Sequence, residues 1–319
     1  DHIINTYLGS EVNSQDRVSR WMDGWGMQYD SGLTPFWDYR AFKRLTEKNW
    51  DYYGLSKSFG RSVAFFANAT YSYKGRYTIT GTTRYEGTNR LGRTRKARWL
   101  PTWNISGAWN AHSEDFFEKQ HLLSHLTLKG SYSLVGVAPS WVTNSRAIIY
   151  SRAAWRPSAG QSENRNYIGS FENEDLTYEK KHELNFGVDM GLLKNRLNIA
   201  ADIYWRNNFD LIGAAYTIGG TRWGNVASMK SHGFELSVST KNIQSKDFSW
   251  TTDFIFGSTF NKVTELDTKR NMFNFLTGNG FARQGYPVRS LFSIPFTGLD
   301  DEGFPTFMVN GKEVTRRNY

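Results

Sequence analysis

The chain has 319 residues, no cysteine, 39 basic and 30 acidic side chains, and a formal net charge of +9. The missing cysteines exclude disulfides and thiolate metal sites, and a charge of this size does not specify nucleic acid. No run of about 18 apolar residues is present, so no transmembrane helix is predicted; a barrel passes that test unnoticed, because its lipid-facing residues alternate with polar ones.

In chain order, residues 1–6 lack the basic and apolar regions of a signal peptide. Either the protein is not exported or the chain is a piece of a longer one. Residues 3–12 read as a strand, 13–16 as a short polar turn and 17–29 as a poorly alternating return strand. Residues 30–57 are irregular and rich in aromatics.

The clearest unit spans residues 59–86. Val63, Phe65, Ala67, Ala69 and Tyr71 share one parity against Ser62, Asn68, Thr70 and Ser72. After Tyr73-Lys74-Gly75-Arg76-Tyr77, the residues Ile79, Gly81, Thr83 and Tyr85 oppose Thr78, Thr80, Thr82 and Arg84. This is a β-hairpin with one apolar and one polar face. Val63, Phe65, Ile79 and Tyr85 are expected against lipid, with Ser62, Asn68, Thr80 and Arg84 in the lumen.

Residues 86–98 form an arginine-rich loop, and Trp103, Ile105 and Trp109 mark the next strand. A connection over 111–124 includes a helical turn at 116–123. Leu126, Leu128, Tyr132 and Leu134 mark a further strand. The connection 135–177 is the longest and holds a short strand near 147–150. Strands follow at 183–190 and 197–205, separated by a turn at 191–196. Then come a loop at 213–229, a strand at 234–239, a turn at 242–247 and a strand at 249–261. A Gly-rich stretch leads to a last strand near 291–299.

Short connections alternate with long ones, and aromatics such as Tyr73, Tyr77, Trp205, Phe248 and Trp250 gather at strand ends beside short turns. Both features fit a transmembrane barrel with periplasmic turns, external loops and aromatic girdles. Strands of ten or more residues also exceed the usual strand of a soluble sandwich. The fold class is therefore all-β: an antiparallel transmembrane β-barrel, present in part. A soluble or surface-anchored glycan-binding β-protein, without transport, is the alternative reading.

These residues also carry a family resemblance. Phe59-Gly60-Arg61, Asn68 to Tyr73, Arg76-Tyr77 and Arg84-Tyr85-Glu86-Gly87 resemble the barrel of SusC-like TonB-dependent outer-membrane transporters. Trp99-Leu100-Pro101 with Trp109, and Leu126-Thr127-Leu128-Lys129-Gly130-Ser131-Tyr132-Ser133, are similar to later motifs. Leu176-Thr177-Tyr178-Glu179 with Asn185-Phe186-Gly187-Val188-Asp189 follows in order. So do Asn195-Arg196-Leu197, Asp202-Ile203-Tyr204, Asp210-Leu211, Asn225-Val226, Gly233-Phe234-Glu235-Leu236, Trp250, Gly285-Tyr286-Pro287 and Gly298-Leu299-Asp300. Ser133 departs from the family's usual glycine, and Glu86 from its aspartate.

The resemblance implies roughly half of a 22-stranded barrel. The whole of residues 1–319 then belongs to that barrel, with the signal peptide, N-terminal domain, plug and C-terminal strands absent. It implies import of oligosaccharides or peptides driven by TonB, with a SusD-like surface lipoprotein as lid and pairs associating as a dimer. A TonB-dependent receptor for a metal chelate or vitamin is the alternative within transport.

No catalytic constellation, cofactor or resident metal is expected, and the chain is read as no enzyme. His121 and His125 have helical metal spacing but lack a third ligand. Asp189 and Asp202 could mimic a carboxylate pair, or bond lumen arginines or plug groups. A glycosidase would need two carboxylates at fixed separation, which the sequence does not place. The Arg90, Arg93, Arg95, Lys96 and Arg98 cluster has no interleaved aromatics. It suits a solvated loop or contact with outer-membrane lipid headgroups, not nucleic acid. Trp141, Trp155, Arg222 and Trp223 lie in long external connections. There they would stack on sugars or apolar side chains and pair with carboxylates, or pack within the loops or against a lid.

Overall fold

A computed structural model describes residues 1–23, 40, 43–44, 53–117, 122–140, 148–156, 161–268 and 281–315. Nine antiparallel strands form one open sheet. They are β1 (His2–Met22), β2 (Tyr53–Tyr73), β3 (Tyr77–Thr88), β4 (Trp99–Asn110), β5 (Leu123–Val137), β8 (Glu179–Leu192), β9 (Leu197–Thr217), β10 (Gly220–Gln244) and β11 (Ser249–Leu266). Each pairs with the next, β8 following β5 directly in the sheet. Between them in sequence, β6 (Ile148–Arg156) and β7 (Gln161–Ser170) form a separate hairpin. A one-turn helix, α1 (Arg95–Arg98), precedes β4 and is capped by the Thr94 hydroxyl. A small sheet of β12 (Phe296–Leu299), β13 (Pro305–Val309) and β14 (Lys312–Val314) follows.

The register turns the sequence alternation into two faces. One row runs across all nine strands as Ile4, Tyr71, Ile79, Gly107, Gly130, Phe186, Ile203, Phe234 and Ser258. The row beside it, pointing the other way, is Asn5, Thr70, Thr80, Ser106, Ser131, Asn185, Tyr204, Gly233 and Thr259. Successive side chains in a strand point to opposite faces, so a single register makes one face apolar and the other polar. The apolar side is not covered by protein: Phe65 is 54% exposed, Ile79 58%, Ile105 58% and Phe186 50%. An apolar face spanning nine strands is far larger than soluble monomers expose, and lipid is the solvent that accepts it. No helix among the described residues is long and apolar enough to cross a membrane, and the strands do so instead.

The 59–86 hairpin stands as read, with Phe65 opposite Tyr85 and Tyr73 opposite Tyr77. Lys74 and Gly75 both have positive φ, at 52° and 67°. Arg76 N–H closes the turn on the Tyr73 carbonyl at 2.9 Å. This is the type I′ geometry that matches strand twist, and it explains the glycine.

Several boundaries differ from expectation. Residues 13–16 are no turn: β1 continues through them, opposite residues 59–62 of β2. The expected loop at 213–229 is instead the far end of β9 and β10, joined by Ile218-Gly219 alone. The turn expected at 242–247 begins later, since β10 runs to Gln244. The short strand at 147–150 is the start of β6, and the last strand expected near 291–299 is confined to β12. The alternation of ends holds in part. The connections at 74–76, 193–196 and 245–248 are short and share one rim with 111–122, which at twelve residues exceeds the ten of 89–98 at the other rim. At β9–β10 the extra length is built as strand, with 21 and 25 residues, rather than as loop.

Candidate functional site

The polar face is the inner wall, and it carries several ion pairs. Arg84 holds Glu11 at 2.9 Å and Glu86 at 2.7 Å. Lys129 pairs with Asp189. Arg206 binds Glu183 at 3.1 Å, Lys181 joins the same carboxylate, and the guanidinium lies 3.8 Å from the Tyr204 ring centroid. Tyr204 lies across Gly233, whose absent Cβ would fall 2.4 Å from its hydroxyl. Asp202 similarly lies across Gly187 and stands opposite Glu235. Asp189 and Asp202 thus have different neighbours, with Asp189 held by Lys129. A barrel lumen wants this surface of paired charges and short hydroxyls.

At the outer rim two connections and the far end of the β9–β10 hairpin are bound into one lip. Leu91 and Leu176 are completely buried, with Leu100 and Tyr178 beside them. Ala138, Ile212 and Trp223 pack against this cluster. The backbone follows: Gly92 N–H donates to Leu176 O at 2.7 Å and Arg93 N–H to Glu174 O at 2.9 Å. Gly92 must be glycine-small here, since a Cβ would fall 2.0 Å from the Glu174 carbonyl oxygen. Asn225 clasps Thr177 twice. Its Nδ2 donates to the Thr177 carbonyl at 2.9 Å and its Oδ1 accepts from Thr177 N–H at 2.9 Å. It also donates to the Asp210 carbonyl at 2.6 Å. Asn173 Nδ2 donates to the Trp223 carbonyl at 2.8 Å. The Tyr178 hydroxyl faces the Glu86 and Arg98 carbonyls at 3.3 and 3.2 Å, and burial pushes its pKa up.

Two recesses open between wall and lip. One, of about 330 Å³, is walled by Leu100, Leu134 and Tyr178, with Arg84 and Glu86 at its edge. The other, of about 260 Å³, is polar, lined by Asn13, Gln15, Ser62, Thr88 and Arg90. An apolar wall beside convergent polar groups is the usual make-up of a ligand site.

Of the four residues singled out by loop position, Arg222 and Trp223 have described side chains and are neighbours on β10. Trp141 lies outside the described residues, as does the side chain of Trp155, whose backbone pairs with Ser162. Trp223 is half-buried against the lip cluster. Arg222, its neighbour on β10, is exposed and bridges Phe171 through the backbone. Within the arginine cluster, Arg93 pairs with Glu172 at 3.1 Å and Glu174 at 3.2 Å, and Arg90 reaches Gln15 at 3.3 Å. His125 shares a hydrogen bond with Asn195 Oδ1 at 3.1 Å, and His121 lies outside the described residues. Among the described residues no three side chains are grouped to hold a metal. Sequence reasoning missed Asn225, Asn173 and Tyr178. Only their place in the family-like motifs at 176–179 and 225–226 pointed to Tyr178 and Asn225.

The family described as "TonB dependent receptor-like, beta-barrel" matches residues 3–307. TonB-dependent receptor P39 of Formosa agariphila is 27% identical over 266 residues, which is 82% of this chain and 24% of that protein. TonB-dependent receptor SusC of Bacteroides thetaiotaomicron is 26% identical over 212 residues, 64% of this chain and 21% of the relative. This chain thus spans about a quarter or less of the length of the curated relatives it matches. Among solved structures, the RagAB peptide importer in its "closed-closed" state superposes with a TM-score of 0.76 at 21% identity, covering 100% of this chain and 35% of its own. The outer membrane transporter YddB from Escherichia coli gives 0.53 at 13% identity, over 90% of this chain and 35% of its own.

Proposed function

This chain belongs to the TonB dependent receptor-like beta-barrel family, and we propose on that premise that it is a wall segment of a longer active importer. The full barrel is proposed to have 22 strands, with an N-terminal domain and plug supplied by sequence outside this chain. Its cargo would be oligosaccharides or peptides, taken in with energy delivered through TonB and with a SusD-like surface lipoprotein as lid, in pairs that dimerise. One observation carries the reading. The apolar row from Ile4 to Ser258 is backed across the same nine strands by the polar row from Asn5 to Thr259. A membrane-spanning wall around an aqueous path needs those two faces. The RagAB peptide importer suggests the peptide class, and the SusC-like resemblance of the motifs suggests the oligosaccharide class.

No covalent chemistry is assigned to the chain. Its own residues supply a fixed outer lip, a hydrogen-bonding inner wall and two recesses in between. Arg222, exposed on the lip, and Trp141 and Trp155 in the long connection are proposed to touch cargo or lid. The test is uptake of labelled oligosaccharides and peptides by cells carrying the full-length receptor, with and without functional TonB. TonB-dependent uptake of either class supports the reading. A protein that stays soluble without detergent and shows no heat-dependent shift in gel mobility would sink it.

A further inference from the structure

The outward face lies against outer-membrane lipid, and across β9 to β11 it changes character within two rows. Ile199 and Ile203 on β9, Phe234, Leu236 and Val238 on β10, and Phe254 and Phe256 on β11 form an apolar band. The next row toward the outer rim is Trp205, His232 and Phe260, with His232 stacked on Phe260 at 5.6 Å between ring centroids. The row beyond is Asn207, Lys230 and Lys262. Aromatics at the edge of an apolar band, followed by cations, mark the depth at which hydrocarbon gives way to headgroups.

Lys230 and Lys262 are directly opposite in register, and both are exposed. Opposed like charges on one face of an antiparallel pair repel. Among the described residues neither lysine has an ion-pair partner. The nearest carboxylate in the ladder, Glu265, lies one row further out and accepts a hydrogen bond from the Ser228 hydroxyl at 2.9 Å. The inner wall also holds an opposed like-charge pair, Asp202 and Glu235, but that pair faces an aqueous lumen. The lysines face the membrane boundary, where the abundant anion is a lipid phosphate.

We propose that Lys230, Lys262 and Asn207 form an outward-facing site for the phosphate of an anionic membrane lipid, whose acyl chains lie on the apolar band beneath. The two ammonium groups converge on one anion and lose their mutual repulsion, while the Asn207 amide donates to it. The inference rests on the outward face meeting lipid, and the test separates the two ideas.

The full-length receptor, purified in detergent, would be incubated with phosphatidylglycerol, lipid A, phosphatidylcholine or inorganic phosphate. Retained ligand would then be counted by native mass spectrometry. The expected result is selective retention of an anionic lipid, reduced about tenfold or more in K230Q/K262Q and kept in K230R/K262R. Equal retention by wild type and the Gln pair would overturn the site. So would retention of phosphatidylcholine as strongly as phosphatidylglycerol. Binding of inorganic phosphate with no preference for lipid would overturn the lipid assignment. A heat-dependent gel shift in every variant keeps failure of the site distinct from failure of the barrel.

Discussion

The Tyr204 hydroxyl spans the whole width of β10 to reach Thr259 Oγ1 on β11, at 2.6 Å. It can do so because residue 233 between them is glycine; a Cβ there would fall 2.4 Å from the hydroxyl and 2.7 Å from the Ser258 carbonyl oxygen. Gly233→Val should therefore displace Tyr204 and cost about 1–3 kcal/mol, the range for overpacking. Tyr204→Phe, which removes only the hydrogen bond, should cost about 0.5–1.5 kcal/mol. Urea titration of the barrel refolded in lipid measures both, and equal costs would mean that the glycine is not needed for the crossing.

The two faces of the sheet predict opposite tolerance to charge. Phe65 points outward and is exposed, whereas Thr80 lies on the inner row, sharing a 3.0 Å hydrogen bond with Thr70. Phe65→Arg should cost about 2–4 kcal/mol if residue 65 sits near the bilayer midplane, while Thr80→Arg should be accepted in the lumen with little loss. The same refolding titration reads both. A similar response at the two positions would invert or abolish the assignment of faces.

Asn225 is the strongest single tie between β10 and the segment before β8. Asn225→Leu keeps the side chain's size but leaves the Thr177 N–H and carbonyl and the Asp210 carbonyl without their partner. Each group left unsatisfied and buried costs about 1–3 kcal/mol, and solvent entering the lip would recover part of that. Amide exchange at residues 176–178 should accelerate in this variant, while exchange in β3 and β4 should be unchanged.

At the opposite rim Glu114 sits in the β4–β5 connection and gathers three donors. Tyr77 Oη lies at 2.5 Å, Trp109 Nε1 at 3.1 Å and Arg76 Nη1 at 2.9 Å. The Tyr77 hydrogen bond, followed by those from Trp109 and Arg76, holds its pKa below the ordinary carboxylate value of 4.5. For a depressed carboxylate the stabilisation is full above the unfolded pKa and disappears as pH falls through the folded one. The clasp should therefore persist through pH 4.5 and open only below it. Trp109 emission, isolated by comparison with Trp109→Phe, should shift in that lower window and lose the shift in Glu114→Gln.

How much of this was legible in the sequence follows from where one rule holds. Within the membrane one face is apolar, so period-two alternation fixes strand, face and register, as residues 63–73 and 77–85 show. Beyond the membrane both faces are wet and the pattern fades. Residues 13–16 are polar on both sides and read as a turn, although they pair with 59–62 in the sheet. In β9 the alternation is also broken by Asp210, with φ of 56°, opposite register irregularities at 225–229 of β10. That end of a long hairpin thus looked like loop. The lip was hidden for another reason. Its core joins Leu91 of the β3–β4 connection, Leu100 of β4 and Leu176 of the segment before β8, and no local period announces such a contact.

The same distinction separates two adjacent residues that sequence position had grouped together. Trp223 packs on the buried cluster of Leu91, Leu100, Leu176 and Tyr178, while Arg222 extends from the other side of the strand and is exposed. Trp223→Ala removes a large half-buried side chain and should destabilise the lip by about 2 kcal/mol or more, less than a fully buried tryptophan would. Arg222→Ala leaves that packing intact and should stay within about 0.5 kcal/mol of wild type. If Arg222 touches cargo or lid, its substitution should lower uptake at unchanged stability, with the salt dependence of cargo or lid binding reduced as well. For Trp223→Ala, loss of uptake should track faster exchange at 176–178. Normal uptake and normal salt dependence in Arg222→Ala would leave Arg222 a solvated surface residue and remove it from the proposed site.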